Sequence, residues 1–200
     1  MIAVLFIIIF VLLAIYAGQW VRKHNVKLYV IATILAIVTY FLIDKVTIIE
    51  PFIQGYLGLS LLYIVMFTGA LKDKTKLKIK LASVRREYSI LGFIFISTHG
   101  IRYYLDFFGD SPAIERLAGV LAFVIMIPLF ITSFMKIRKK MSRKAWVKLQ
   151  SLAYVVYVLI FIHLLLMASM PNFLVYLVLF VPYFVLKLIK EIKKSKSKKQ

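Results

Sequence analysis

The 200 residues read as an all-α integral membrane protein, a bundle of seven transmembrane helices, on three observations. Hydrophobic residues make up 62% of the chain and mean hydropathy is +0.91, outside the range of a soluble globular domain. Apolar runs long enough, or nearly so, to cross a bilayer recur seven times, at 2–20, 28–43, 52–71, 87–105, 117–135, 146–169 and 172–189. The net charge of +19 is gathered in the connections between those runs.

Each run is justified by what flanks it. No basic residue precedes the first, and Arg22 and Lys23 follow it. That is the reverse of a signal peptide, so the run reads as an uncleaved span with its N-terminus outside. The second is the shortest, between "VRKHNVK" and "DKVTIIEP". The third ends at "KDKTKLKIKLASVRRE", the fourth at "RYYLDFFGDSPAIER" and the fifth at "KIRKKMSRKAWVK". "SMPN" separates the sixth from the seventh, which runs into the Lys/Ser tail "KLIKEIKKSKSKKQ". Lysine and arginine number 3 after the first run, 7 in 72–86, 7 in 136–148 and 7 in 187–199. These alternate connections hold 24 of the 27 basic residues. The other connections hold Lys45, Arg102 and Arg116, with Asp44, Glu50, Asp106, Asp110 and Glu115. The positive-inside rule makes the basic side cytoplasmic, which sets the N-terminus outside and the C-terminus in the cytoplasm. The expected organisation is two N-terminal spans in 1–51, a core in 52–190 and a basic tail in 191–200.

Several chemistries fall away. Without cysteine there are no disulfides, thiolate metal sites, iron–sulfur clusters or c-type haem attachment. The basic residues adjoin membrane spans and are not interleaved with stacking aromatics, so they argue topology and contact with anionic lipid, not nucleic acid. There is no Gly-rich phosphate loop and no flavin or nicotinamide domain up to Gln200.

Three histidines remain. His24 sits among Arg22, Lys23 and Asn25 in a connection, whereas His99 and His163 lie inside spans, where ionisable groups are costly and usually functional. His99 is about 20 Å along its helix from the basic end and His163 about 28 Å. Both helices run in the same direction, so both imidazoles fall in the outer half of the bilayer. Each imidazole alone has a plain alternative, a hydrogen bond to a neighbouring helix. Together they are too few for a closed zinc site and the right number to ligate both faces of a haem iron. Arg102 and Arg116 lie near the mouth of such a site, placed to pair with haem propionates or to serve as loop cations.

"SVRREYSILGFIFISTHGIRYYL", "RLAGVLAFVIMIPLFITSF" and "RKAWVKLQSLAYVVYVLIFIHLLL" together resemble the ferric reductase-like transmembrane domain family, and within it the MsrQ/YedZ-type haem-binding membrane subunits. Arg-Arg precedes a Leu-Gly helix carrying His-Gly, Thr-Ser ends the next helix, and Trp-x-x-Leu opens a third with a late His-Leu. The likeness is specific over 83–169 and looser over 52–82 and 170–190, with the first span an addition to a six-helix core. It implies haem b, one per chain, with His99 and His163 as axial ligands to the iron. The implied function is a membrane oxidoreductase subunit, a haem-dependent reductase or electron-transfer protein of the bacterial cytoplasmic membrane. It would pass electrons from a quinol or flavin donor, or a separate flavin reductase, to an extracytoplasmic acceptor: ferric iron, a flavoprotein or an oxidised protein. Relatives commonly carry a second inner histidine where this chain has Gln150, so an inner FMN or quinone is expected in place of a second haem. Trp146 and Gln150 are candidates to line that inner site, or else simple anchoring residues. On an ideal helix Gln150 stands about 140° around from His163, so a tilt or kink is needed to bring both to one haem-facing wall.

The rival reading is a non-redox polytopic protein, a transporter or assembly subunit without haem. A transporter is expected to show a repeat or broken helices. No repeat appears, and the only interior prolines, Pro128 and Pro182, lie near helix ends.

Overall fold

The computed structural model describes residues 2–42, 50–109 and 114–196, and among them all regular structure is helical. Asp44, Lys45 and Asp110 lie outside the described residues, as do residues 110–113 of the outer connection and the end of the tail. The helices are α1 (Ile2–Lys23), α2 (Asn25–Phe41), α3 (Glu50–Ile53), α4 (Tyr56–Ala70), α5 (Lys76–Ser83) and α6 (Arg85–Gly109). They continue with α7 (Ile114–Ile131), α8 (Met135–Arg138), α9 (Arg143–Gln150), α10 (Ala153–Met167) and α11 (Met170–Lys196). All seven apolar runs are therefore largely helical. Residues 2–23, 143–167 and 170–196 are long and apolar enough to cross a membrane.

Side-chain contacts fix the directions of the long helices. Phe10 O accepts from Tyr88 Oη at 2.7 Å, and Gly18 meets Val84, so α1 runs against α6. Ala36 O accepts from Thr98 Oγ1 at 3.2 Å, so α2 climbs back with α6. Gly58 meets Ile96 and Gly92 meets Leu62, which sets α4 against α6. Gly100 touches Phe123 while Phe93 stacks on Phe130, which turns α7 back again. His163 meets Gly119 and Gln150 reaches Leu129, reversing α10 on α7. Phe161 stacks on Phe180 and Lys187 reaches Tyr154, reversing α11 on α10. Successive long helices thus alternate, and one end of the bundle collects the described basic clusters.

α4 is apolar all round because it is enclosed by α1, α6 and α11, with Leu61, Ile64 and Met66 at most 2% exposed. The outer faces of α1, α2, α10 and α11 carry bare apolar side chains such as Leu5, Ile34, Val158 and Val178, as a lipid-facing surface requires. Between helices, hydroxyls bond to backbone carbonyls: Ser60 Oγ to Ala3 O at 3.0 Å and Tyr63 Oη to Leu179 O at 2.9 Å. Each such bond contributes about 0.6 kcal/mol in a membrane protein, so they align helices more than they hold them.

The sixth apolar run tightens partway along. α9, capped by Ser142 Oγ accepting from Ala145 N, ends at Gln150, and α10 starts at Ala153. Leu152 N and Tyr154 N bond three residues back at the joint, the tighter 3₁₀ pattern. On either side of this tightened turn Gln150 and His163 both reach α7, at Leu129 and Gly119.

Candidate functional site

α6 carries His99 and α10 carries His163, and the bundle brings the two rings together. Their centroids are 6.2 Å apart with planes at 65°. Two imidazoles bound to opposite sides of one metal atom, each nitrogen at about 2 Å, have centroids about 6 Å apart. Their interplanar angle is unrestricted, because each ring can rotate about the ligand bond. The observed pair meets that condition. Among the described residues no three of His, Asp and Glu converge on one point.

Local structure sets the chemistry of His99. Its Nδ1 lies 2.9 Å from Ile53 O, and a carbonyl can only accept, so Nδ1 carries the proton. Nε2 then keeps the lone pair, the arrangement that second-shell carbonyls impose on ligating histidines. Ile53 O is aimed there by a turn at Gly55, whose φ of +76° favours glycine. A Cβ on Gly55 would also stand 2.7 Å from Ile96 Cδ1 and 3.2 Å from His99 Cγ. Gly119 of α7 plays the matching part under His163, where a Cβ would lie 2.8 Å from Nδ1. Tyr103, one turn beyond His99, leans on its ring at 4.8 Å.

Both histidines open onto a cavity of ≈ 520 Å³, a volume suited to a cofactor. Its deep wall is apolar, with Leu62, Phe123, Met126 and Ile160, and its mouth is polar, with Glu50, Gln54, Arg116, Ser169 and Asn172. Of the two outer arginines, Arg116 lines this cavity and Arg102 does not. An apolar floor, paired imidazoles and an arginine at the mouth fit a haem with its propionates outward, against the single opposing charge of Glu50.

A second cavity, ≈ 780 Å³, lies toward the basic end. Arg85, Arg86, Arg138 and Lys139 rim it, and Trp146, Gln150 and Tyr154 stand on its wall. Leu62, Met126 and Ile160 line both cavities, so a single layer of side chains divides them. Gln150 donates Nε2 to Leu129 O at 3.2 Å and Thr132 Oγ1 at 3.1 Å, and Trp146 Nε1 donates to Thr132 O. Both therefore clamp α9 to the end of α7. Arg138 lies over the Trp146 ring, 4.5 Å from its centroid. At the same depth on α6, Glu87 is bonded to Arg86 and Tyr88 turns away to α1, which leaves Ser89 on the wall.

Residues 54–161 match the family model of the ferric reductase-like transmembrane component. The chain belongs to that family. Among its relatives, an uncharacterised protein of Treponema pallidum (strain Nichols) is 26% identical over 168 residues, 74% of this chain and 46% of that protein. The magnetosome protein MamZ of Paramagnetospirillum magneticum strain AMB-1 is 31% identical over 135 residues, 60% of this chain and 20% of MamZ. The chain thus spans less than half of either relative. No solved structure matches it. The family match takes in His99, Arg102, Arg116 and Gln150 and stops two residues short of His163.

The sequence did not single out Gly55, Gly119 or the Ile53 carbonyl. Their only trace is the glycines in "IQGYLG" and "RLAGV", small residues in otherwise bulky apolar runs. The four cations of the inner rim carry a topology signal that hides their shared cavity.

Proposed function

We propose that this ferric reductase-like chain is a b-type haem membrane subunit that passes electrons outward across a bacterial cytoplasmic membrane. The supporting observation is the His99–His163 pair, 6.2 Å between centroids on the wall of one cavity. The chain makes seven crossings with its N-terminus outside and C-terminus inside. Residues 52–190 form the core, preceded by two spans in 1–51 and followed by a basic tail. Haem, when bound, supplies a one-electron centre. His99 and His163 would hold its iron, and Ile53 O keeps the His99 proton on Nδ1 so that Nε2 is available to a metal. We assign Arg116 to the propionates, with Arg102 a cation of the outer surface. Leu62, Met126 and Ile160 keep water out between the two cavities.

The inner cavity takes the donor, a quinol, FMN or the flavin of a separate reductase. Arg85, Arg86, Arg138 and Lys139 suit the phosphate of a flavin nucleotide, and the apolar wall suits its ring. The acceptor, on the extracytoplasmic side, is ferric iron, a flavoprotein or an oxidised protein.

A reduced-minus-oxidised visible spectrum of the purified protein tests the reading. His99→Ala and His163→Ala are each expected to lose haem or leave a five-coordinate spectrum, with His24→Ala unchanged. No haem bands in the unmutated protein, or wild-type spectra in all three variants, overturn it.

A further inference from the structure

α1 is bent near its basic end. Ala17 leaves the helical region, at φ −123° and ψ 17°, one residue before Gly18. The turn beyond the bend docks on the junction of α5 and α6. A Cβ on Gly18 would stand 3.3 Å from Val84 Cγ1 and 3.4 Å from Ser83 Oγ, while Val21 and Val84 are fully buried. This docking leaves a cleft of ≈ 390 Å³ lined by Gln19, Arg22, Lys23 and Arg86. Three cations and an amide face it, and no carboxylate lines it. Glu87 is buried beside it at 2% exposure and accepts Nε and Nη2 of Arg86 on Oε1, offsetting one of the three charges.

We propose that this cleft binds the phosphate of an anionic glycerophospholipid of the inner leaflet. Guanidinium and ammonium groups from two helices give a phosphate diester both a fork and a point charge, and Gln19 adds a donor for its glycerol oxygens. The cleft sits where α1 passes from apolar to basic. Tyr16, Trp20, Val26 and Val30 of the adjoining α1 and α2 surfaces are 83%, 52%, 68% and 54% exposed. A phosphate held at the cleft lays its acyl chains along that bare surface, whereas a soluble anion would leave it uncovered. The lipid then fastens the bent end of α1 to the start of α6. The proposal does not depend on haem, because a chain that failed the spectral test would still bind lipid.

The test is lipid retention by native mass spectrometry in mild detergent, with thermal stability on adding phosphatidylglycerol, phosphatidylcholine or inorganic phosphate. Phosphatidylglycerol is expected to be retained and to raise the midpoint, and the other two are not. The double variant R22Q/K23Q is expected to bind it about 30-fold more weakly. K193Q/K194Q, with the same charge change at the exposed end of α11, is expected to bind normally. Equal losses in the two double variants overturn the site, and protection by inorganic phosphate alone overturns the lipid. Should R22Q/K23Q fail to fold, the unmutated protein decides: equal retention of phosphatidylcholine and phosphatidylglycerol refutes the proposal.

Discussion

Gly119→Ala adds a single methyl group beneath His163. The new Cβ would lie 2.8 Å from Nδ1 and 2.9 Å from Cε1, where ordinary contact starts near 3.4 Å. The ring must therefore retreat by about 0.6 Å, or α7 and α10 must part by as much. Overpacking of this kind costs about 1–3 kcal/mol. Displacing a ligating imidazole from its support typically weakens metal binding about 10–100-fold. Gly69→Ala is the control, since a Cβ there meets nothing within 4 Å and replaces a helical glycine with a better helix former. Haem titration of both purified variants, with absorbance and thermal melts, gives the readout. Gly119→Ala should show at least about tenfold weaker haem retention and an altered spectrum. Gly69→Ala should match the unmutated protein or melt slightly higher. Equal haem retention in the two variants would show that His163 does not need the space Gly119 leaves, and the ligand assignment would lose its support.

Haem extracted per protein chain should be one, and Gln150→His alone should not add a second six-coordinate centre, since Ser89 is the residue facing the inner cavity at that depth; a ratio near two refutes this. A reporter fused after Gln200 should read cytoplasmic and one in the 106–115 connection external, and the reverse pattern sinks the assigned orientation. Hydrogen bonds from Lys78 and then Lys190 hold the Asp73 carboxyl at about 2, below its ordinary 3.8. A depressed folded value gives stabilisation that is complete above the unfolded pKa and lost as pH falls through the folded one. The melting difference between the unmutated protein and Asp73→Asn should accordingly stay constant from about pH 8 to 5 and close between about pH 4 and 2; a difference unchanged at pH 2 refutes it.

What the sequence revealed follows the physics of each signal. Helix positions were legible because seven apolar runs and clustered lysines mark where chain meets lipid and water. Proximity was partly legible, because rise per residue is constant: counting from Arg86 and Lys144 put His99 about 20 Å and His163 about 28 Å along parallel helices, and the packing brings the two rings together. Azimuth was not. On an ideal helix Gln150 turns away from His163, and the tightened turn at Ser151–Leu152 departs from that ideal, although no proline or glycine marks the spot. The carbonyls of Leu129 and Thr132 decide what its amide touches, and those sit near Pro128, twenty residues away in sequence. Arg102 and Arg116 looked equivalent from composition, and only the packing of α7 on α10 puts one of them on the cavity. A backbone contact such as Ile53 O to His99 has no side-chain signature at all, save the glycine two residues on that permits the turn.

The wall shared by the two cavities has a consequence for the membrane as an insulator. A protein with chambers reaching inward from both faces risks becoming a leak for protons and salt. Leu62, Met126 and Ile160 offer no O–H or N–H groups along which water could form a continuous wire. A thioether and two branched aliphatic chains are nevertheless thin, and on the proposed function the electron would cross this layer without water. Replacing any of the three with serine would place a hydroxyl in that layer and give water its first foothold between the chambers.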